Sequence, residues 1–273
     1  MEMAEKFIVQ RVTEEGKHDR EEMVIKELPL TIILNNHELV TLLCSPHNLD
    51  YLAAGFLFSE GLIDNKDEIQ KIMVDDRRGV VRIETKEDKG PAGELLFKRV
   101  ITSGCGAGSL YRAADVQNLG KVESQTQVSA TEIFDLVSEF QHHSQTFRDT
   151  GGVHSAALCD NKNILVFSDD IGRHNAIDKI LGECLLKDIT TDNRVIVTSG
   201  RIPSEILLKA AKRKIPIIIS VSAPTDLGVK LANELGITLV GFVRGKRMNV
   251  YANDWRVITD IAPVKGKVLL NDG

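Results

Sequence analysis

One cysteine has the surroundings of a reactive thiol. Cys105 lies in the loop Gly104-Cys105-Gly106-Ala107-Gly108. Neighbours with little or no side chain let backbone N–H groups approach the sulfur, and such donors stabilise a thiolate. An uncrowded loop also lets this sulfur meet the sulfur of a partner, as thiol transfer, persulfide carriage and redox exchange all require. A small residue filling a tight turn fits the same five positions, and the local sequence leaves both readings open. Cys44, Cys159 and Cys184 lie in aliphatic stretches and read as core residues. No two of the four cysteines form a CxxC pair. Thiols so widely spaced in a chain of 273 residues read as reduced cysteines, not as a disulfide framework.

A second set of candidates lies in loops that combine glycine with chargeable residues. These are Thr150-Gly151-Gly152-Val153-His154, Asp169-Asp170-Ile171-Gly172-Arg173-His174-Asn175, Thr198-Ser199-Gly200-Arg201, Ser222-Ala223-Pro224-Thr225 and Phe242-Val243-Arg244-Gly245-Lys246-Arg247. Guanidinium forks match phosphate oxygens, so Arg201, Arg244, Lys246 and Arg247 could cradle a phosphate or another planar anion. A solvated basic loop is the alternative. His174 stands in more polar surroundings than a helix cap needs, and we read it as a ligand contact. His154 fits a structural role equally well. No Walker loop, GxGxxG, HExxH, HxE or GxSxG occurs, which argues against a standard nucleotide hydrolase, a Rossmann dehydrogenase, a zinc site or a serine hydrolase. No metal is expected.

These loops need a scaffold, and the composition indicates its kind. The chain is 42% hydrophobic but only 5% aromatic, so its core must be built from Val, Ile, Leu and Ala, as in layered α/β proteins. The net charge of -5 gives no overall basic footprint for nucleic acid. No apolar run approaches the roughly 20 residues that span a bilayer. Residues 1–20 are charged and lack the apolar segment of a secretory signal, so a cytoplasmic location is expected.

Along the chain, residues 30–34 and 38–44 read as strands joined by a turn at Asn35-Asn36-His37. Asp50 is expected to cap a helix that ends near Gly61. Residues 69–74, 79–84 and 95–102 read as strands, the last running into the Cys105 loop. Residues 121–128 form a polar connector, and one helix is expected over 130–147, started by Thr131 and Glu132. Strands over 155–159, 164–168, 194–198, 215–221 and 238–243 alternate with helices over 175–186, 203–213 and 226–235. This series predicts a mostly parallel sheet with several loops converging on one edge. The division expected is a β-rich part over 1–125, ending in the Cys105 loop, and an α/β part over 126–273.

Together these motifs resemble the FdhD family of formate dehydrogenase accessory sulfurtransferases. The resemblance runs through Glu27-Leu28-Pro29-Leu30, Leu52-Ala53-Ala54-Gly55-Phe56-Leu57-Phe58-Ser59-Glu60-Gly61, Ser103-Gly104-Cys105-Gly106, Gly151-Gly152-Val153-His154, Asp170-Ile171-Gly172-Arg173-His174-Asn175-Ala176 with Asp178-Lys179, Ser199-Gly200-Arg201, Ser222-Ala223-Pro224 and Gly241-Phe242-Val243-Arg244-Gly245. It implies a cytidine-deaminase-like, three-layer C-terminal domain with an added β-rich N-terminal region, acting as a homodimer. It implies a persulfide on Cys105, with sulfur taken from a cysteine desulfurase. The sulfur passes to the molybdenum bis(molybdopterin guanine dinucleotide) cofactor before the formate dehydrogenase catalytic subunit receives it. That cofactor would bind at Phe242, Val243, Arg244, Gly245, Lys246 and Arg247. Ser199, Arg201, Arg173 and His174 are the further candidates for its site, and GDP is a candidate mimic. The alternative is a cofactor-binding chaperone that moves no sulfur. One departure stands out: the family's second loop cysteine is Gly108 here, so no dithiol relay can operate within this loop.

Overall fold

The computed structural model describes residues 2–87 and 119–259. The loop carrying Cys105 and the strand expected over 95–102 lie outside the described residues. The chain opens with a hairpin of ten-residue strands, β1 (Ala4–Thr13) and β2 (Gly16–Ile25). The sequence of this stretch is rich in charge and carries no clear strand signal.

A second hairpin follows, β3 (Leu28–Leu34) and β4 (His37–Cys44). Asn35 and Asn36 take φ of 46° and 67°, the left-handed geometry that a two-residue hairpin turn demands and asparagine tolerates. Alternate residues Leu30, Ile32 and Leu34 are buried, as are Val40, Leu42 and Cys44, so one face of the pair enters the core. β5 (Ile69–Asp75) and β6 (Val80–Thr85) complete a four-stranded sheet in the order β4-β3-β6-β5.

Helix α1 (Leu49–Glu60) begins one residue before the expected cap, Asp50. Asn48 is the N-cap, in a left-handed conformation, and Asp50 sits in the first turn, where its charge favours the helix dipole. The helix ends at Gly61 as expected, with φ of 76°. Its inner surface crosses α4 (Arg173–Leu186) backbone to backbone. A Cβ on Gly55 would lie 1.7 Å from the Asp178 carbonyl oxygen, and one on Gly182 would lie 1.9 Å from that of Tyr51. Only glycines permit this approach.

The expected helix over 130–147 is two helices, α2 (Ala130–His143) and α3 (Gln145–Thr150). Ser144 breaks it: its hydroxyl accepts the Phe147 N–H and donates to Asp169, a pairing that a continuous helix could not make. α2 is capped by Ser129, boxed with Glu132, two residues before the expected start at Thr131. The strand β7 (Val128–Ser129) before it pairs with β14 (Val257–Ile258).

The large sheet contains β8 (His154–Cys159), β9 (Ile164–Asp170), β10 (Val195–Thr198), β11 (Ile217–Ser220), β12 (Thr238–Arg244) and β13 (Arg247–Ala252). Its order is β13-β12-β11-β10-β8-β9. Only β10–β11 and β11–β12 are parallel, which corrects the mostly parallel expectation. β8–β9 and β12–β13 are joined by turns too short for a crossover, so those pairs must be antiparallel. Two further helices, α5 (Ser204–Lys212) and α6 (Asp226–Leu235), form the crossovers around β11.

Alternate strand residues face opposite layers. Ala156, Leu158, Ile196, Ile218 and Leu239 pack with residues of α1, α4, α5 and α6. Ala157, Val195, Val197, Ile217 and Val240 pack against Ile133, Leu136, Val137 and Phe140 of α2. The architecture is mixed α/β, with helices on both faces of this sheet. The first apolar cluster also takes in β3, β4 and β6, so one core joins the small sheet to the large one.

Candidate functional site

The topology brings the expected loops to one sheet edge. β10, β11 and β12 run parallel, so Ser199-Gly200-Arg201, Ser222-Ala223-Pro224 and the turn after Arg244 all follow their C-terminal ends. β8 runs antiparallel to β10, which places its first residue, His154, beside Ser199. Asp170, the last residue of β9, pairs with His154, so α4 also begins at this edge with Arg173 and His174.

The loops are tied to each other by backbone and hydroxyl bonds. Ser220 Oγ donates to the Gly200 carbonyl at 2.7 Å, and the Phe242 N–H donates to the Ser222 carbonyl at 3.0 Å. The Ile202 N–H reaches the Ala223 carbonyl at 3.1 Å. Arg173 lies flat on Gly200, where a Cβ would come 2.8 Å from its own Cβ. Gly200 thus makes room for an arginine at the edge.

The edge is basic and its histidines are neutral. Arg201, Arg244, Lys246 and Arg247 are exposed, and none has an ion-pair partner among the described residues. Arg244 and Arg247 are directly paired across β12–β13, and like charges placed so repel unless an anion relieves them. The Arg244 guanidinium stands 6.0 Å from the Phe242 ring. Phe242 is exposed and held at φ of 53°, a left-handed geometry uncommon for a bulky residue and enriched at ligand sites. Val243 differs from its neighbours: its side chain is buried against the α2 layer, leaving only backbone for a ligand.

Burial, then the charges of Lys209, Arg173 and His154, pushes His174 down to about 3. His174 is 6% exposed, and its Nε2 has no hydrogen-bond partner among the described residues. Burial and Arg173 also lower His154, whose Nδ1 is 3.4 Å from Ser199 Oγ. Ser199 Oγ in turn accepts the Ser155 N–H at 2.9 Å. Near neutral pH both imidazoles offer hydrogen bonds without charge, while the arginines supply the charge.

Other polar residues of the Asp169–Asn175 loop have structural duties. Asp169 accepts from Ser144 and Ser155. Asp170 pairs with Lys179 at 2.7 Å and accepts the Ser45 and Gly172 N–H groups and the Asn175 amide. Lys179 also lies 3.3 Å from His47 Nδ1. A second buried cluster joins Lys209 to Asp178 at 2.6 Å and to Glu60 at 3.4 Å, with Ser59 donating to Asp178. Sequence reasoning missed Ser45, His47 and Lys209 because their partners lie more than thirty positions away or on another helix. The only local signal was a lysine within an otherwise apolar helix face.

The thiols divide cleanly. Cys44, Cys159 and Cys184 are buried and unpaired, and burial pushes each up to about 12. None can ionise usefully near neutral pH. Cys105, the fourth cysteine, lies outside the described residues. No described helix is long and apolar enough to cross a membrane.

Comparison with known proteins places this arrangement. Sulfur carrier protein FdhD from Bacillus subtilis is 44% identical over 238 residues, 87% of this chain and 91% of that protein. The Staphylococcus aureus protein of the same name is 40% identical over 247 residues, 90% of this chain and 93% of its own length. A crystal structure from Desulfotalea psychrophila, of a protein described as a formate dehydrogenase accessory protein, superposes with a TM-score of 0.78 at 29% identity. It covers 94% of this chain and 100% of its own. The model of the FdhD/NarQ family matches residues 25–258, and the chain belongs to that family.

Proposed function

We propose that this chain is a sulfur carrier in the maturation of formate dehydrogenase, working through a persulfide on Cys105. The observation that carries the reading is the burial of the other three cysteines, which leaves Cys105 as the thiol for chemistry. In the loading step the Cys105 thiolate attacks the outer sulfur of a cysteine desulfurase persulfide. A new S–S bond forms on Cys105, the old one breaks, and the desulfurase leaves as a thiolate, with no net oxidation.

The recipient is the molybdenum bis(molybdopterin guanine dinucleotide) cofactor, bound as cargo before it enters the formate dehydrogenase catalytic subunit. Its phosphates suit the basic sheet edge of Arg201, Arg244, Lys246 and Arg247, with Ser199, Arg173 and His174 as neighbours and Phe242 as an aromatic face. Releasing the sulfane sulfur as sulfide takes two electrons. With Gly108 in the loop and the other thiols buried, a thiol from outside the chain attacks the Cys105 sulfur, and these two sulfurs give one electron each as they join in a disulfide and the outer sulfur leaves as sulfide. The sulfurtransferase activity, a cytoplasmic location, homodimerisation and the deaminase-like character of the C-terminal layers belong to the same proposal. Helices on both faces of the large sheet support the last of these.

The test is intact mass after incubation with a cysteine desulfurase and cysteine. The wild type should gain one sulfur that reductant removes, and Cys105→Ala should gain none. An equal adduct on Cys105→Ala sinks the proposal. A second reading, a chaperone that binds the cofactor without moving sulfur, draws on the basic edge, which needs no thiol. It predicts GDP or cofactor binding by calorimetry with no persulfide on either protein.

A further inference from the structure

The β1–β2 hairpin lies almost wholly outside residues 25–258, the stretch shared with the family model. Its two strands pair only with each other among the described residues, so each has one unpaired edge. Two-stranded ribbons are marginal in water without further support. This one exposes large apolar side chains: Ile8 is 77% exposed, Val12 65% and Phe7 48%.

The two edges are not equivalent. The middle of β2 reads Asp19-Arg20-Glu21-Glu22, a run of charge of the kind that protects an edge from pairing. The middle of β1 reads Phe7-Ile8-Val9 and has no such protection.

The sequence of β1 is also complementary to itself in one antiparallel register. Centred on Ile8, that register sets Ile8 opposite Ile8, Phe7 opposite Val9, Ala4 opposite Val12, and Glu5 opposite Arg11. The last three pairs each occur twice, by symmetry. Opposite charges and apolar pairs directly across a ladder both stabilise it. A slip by one residue in one direction opposes Lys6 to Arg11. A slip in the other sets Lys6 against Val9 and loses the Glu5–Arg11 pairs.

We infer that β1 is the dimer contact of this protein, pairing with β1 of a second copy about a two-fold axis at Ile8 to make a four-stranded ribbon in the order β2-β1-β1-β2. The inference rests on the homodimer reading above and names where the contact lies. An isologous interface requires such a self-complementary patch, and a strand paired to its own copy meets that condition without any further surface.

The test uses the full chain with Cys105→Ser as background, so that the added cysteine is the one accessible thiol. On the axis, the two copies of residue 8 face each other with Cα atoms about 5 Å apart. Residue 10 shares that face but lies about 13 Å along the strand from its own copy. Under a mild oxidant, Ile8→Cys should give a covalent dimer on non-reducing gels, and Gln10→Cys should do so at least about tenfold more slowly. Ile8→Lys should sediment as monomer at concentrations where the wild type is dimeric, with an unchanged circular dichroism spectrum. Equal cross-linking at positions 8 and 10, or a dimeric Ile8→Lys, overturns the hairpin contact and leaves the homodimer reading intact. A monomeric wild type overturns both.

Discussion

The Lys179 ammonium and the Asp170 carboxylate meet at 2.7 Å with neither side chain exposed. Asp170 closes β9 at the candidate edge, and Lys179 projects from α4, so the pair fixes the helix that presents Arg173 and His174. Removing one partner strands the other charge in a dry interior. Asp170→Asn should cost about 3–5 kcal/mol of folding free energy, read as a lower denaturant midpoint. Asp170→Asn with Lys179→Met, which removes both charges, should lose less than the single variant. An additive double variant would show that the pair contributes no coupling.

The same helix is held from its other side by the contact with α1. Gly182→Ala drives a Cβ into the Tyr51 carbonyl oxygen, which it would meet at 1.9 Å. The helices must part, and overpacking of this kind costs about 1–3 kcal/mol or more. Thermal unfolding should show a clear fall in Tm. Because α1 and α4 separate, binding at the edge should weaken as well, although no edge residue has changed.

Much of the edge could be read in advance because glycine, serine and arginine mark strand ends locally. Thr198-Ser199-Gly200-Arg201 and Ser222-Ala223-Pro224 fall where the aliphatic runs stop, and the sheet places them side by side. The buried pairs were not legible, since Lys209 meets Asp178 across 31 positions and its one local signal, an apolar helix face around it, names no partner. β13 was missed because Arg247–Ala252 carries arginine, asparagine and tyrosine at the outer edge of the sheet, where one side needs no apolar face. The helix break at Ser144 was hidden for a related reason, as its cause is the distant carboxylate of Asp169.

The thiols should differ sharply in reactivity. Cys44, Cys159 and Cys184 are buried with pKa values near 12, so a thiol reagent at neutral pH should find one cysteine in the native protein and four in denaturant. Cys105→Ala should show none in the native state. Labelling followed by peptide mass mapping checks this. Native-state labelling at any of the three buried positions would contradict the elimination that singles out Cys105.

Acid should destabilise the protein through its buried histidine. In the unfolded chain His174 takes a proton near its ordinary value of 6.5, but in the fold it does not until about 3. Between those values the unfolded state binds more protons, so stability falls as pH falls. The contribution is at most about 1.4 kcal/mol per pH unit from this residue. It should be complete above pH 6.5 and disappear in His174→Gln, which keeps a polar side chain and cannot titrate. Denaturation midpoints from pH 7 to pH 4 should therefore fall less steeply for the variant. Parallel curves would show that His174 is not held neutral by the fold.

Charge and hydrogen bonding at the edge should separate in binding experiments with GDP. Arg244 stands opposite Arg247 with no acidic partner among the described residues, so an anion gains from both guanidiniums and also relieves their repulsion. Arg244→Ala should weaken binding by about 1.5–3 kcal/mol, roughly tenfold or more, and flatten its dependence on salt, because an exposed charge contact is screened. Arg201→Ala should behave alike. His174→Ala should act differently. Its neutral Nε2 offers a hydrogen bond without charge, so affinity should drop while the salt dependence keeps its wild-type slope. Calorimetry over a salt series distinguishes the two. If Arg244→Ala binds GDP as the wild type does, the basic turn is a solvated loop and the ligand site lies elsewhere.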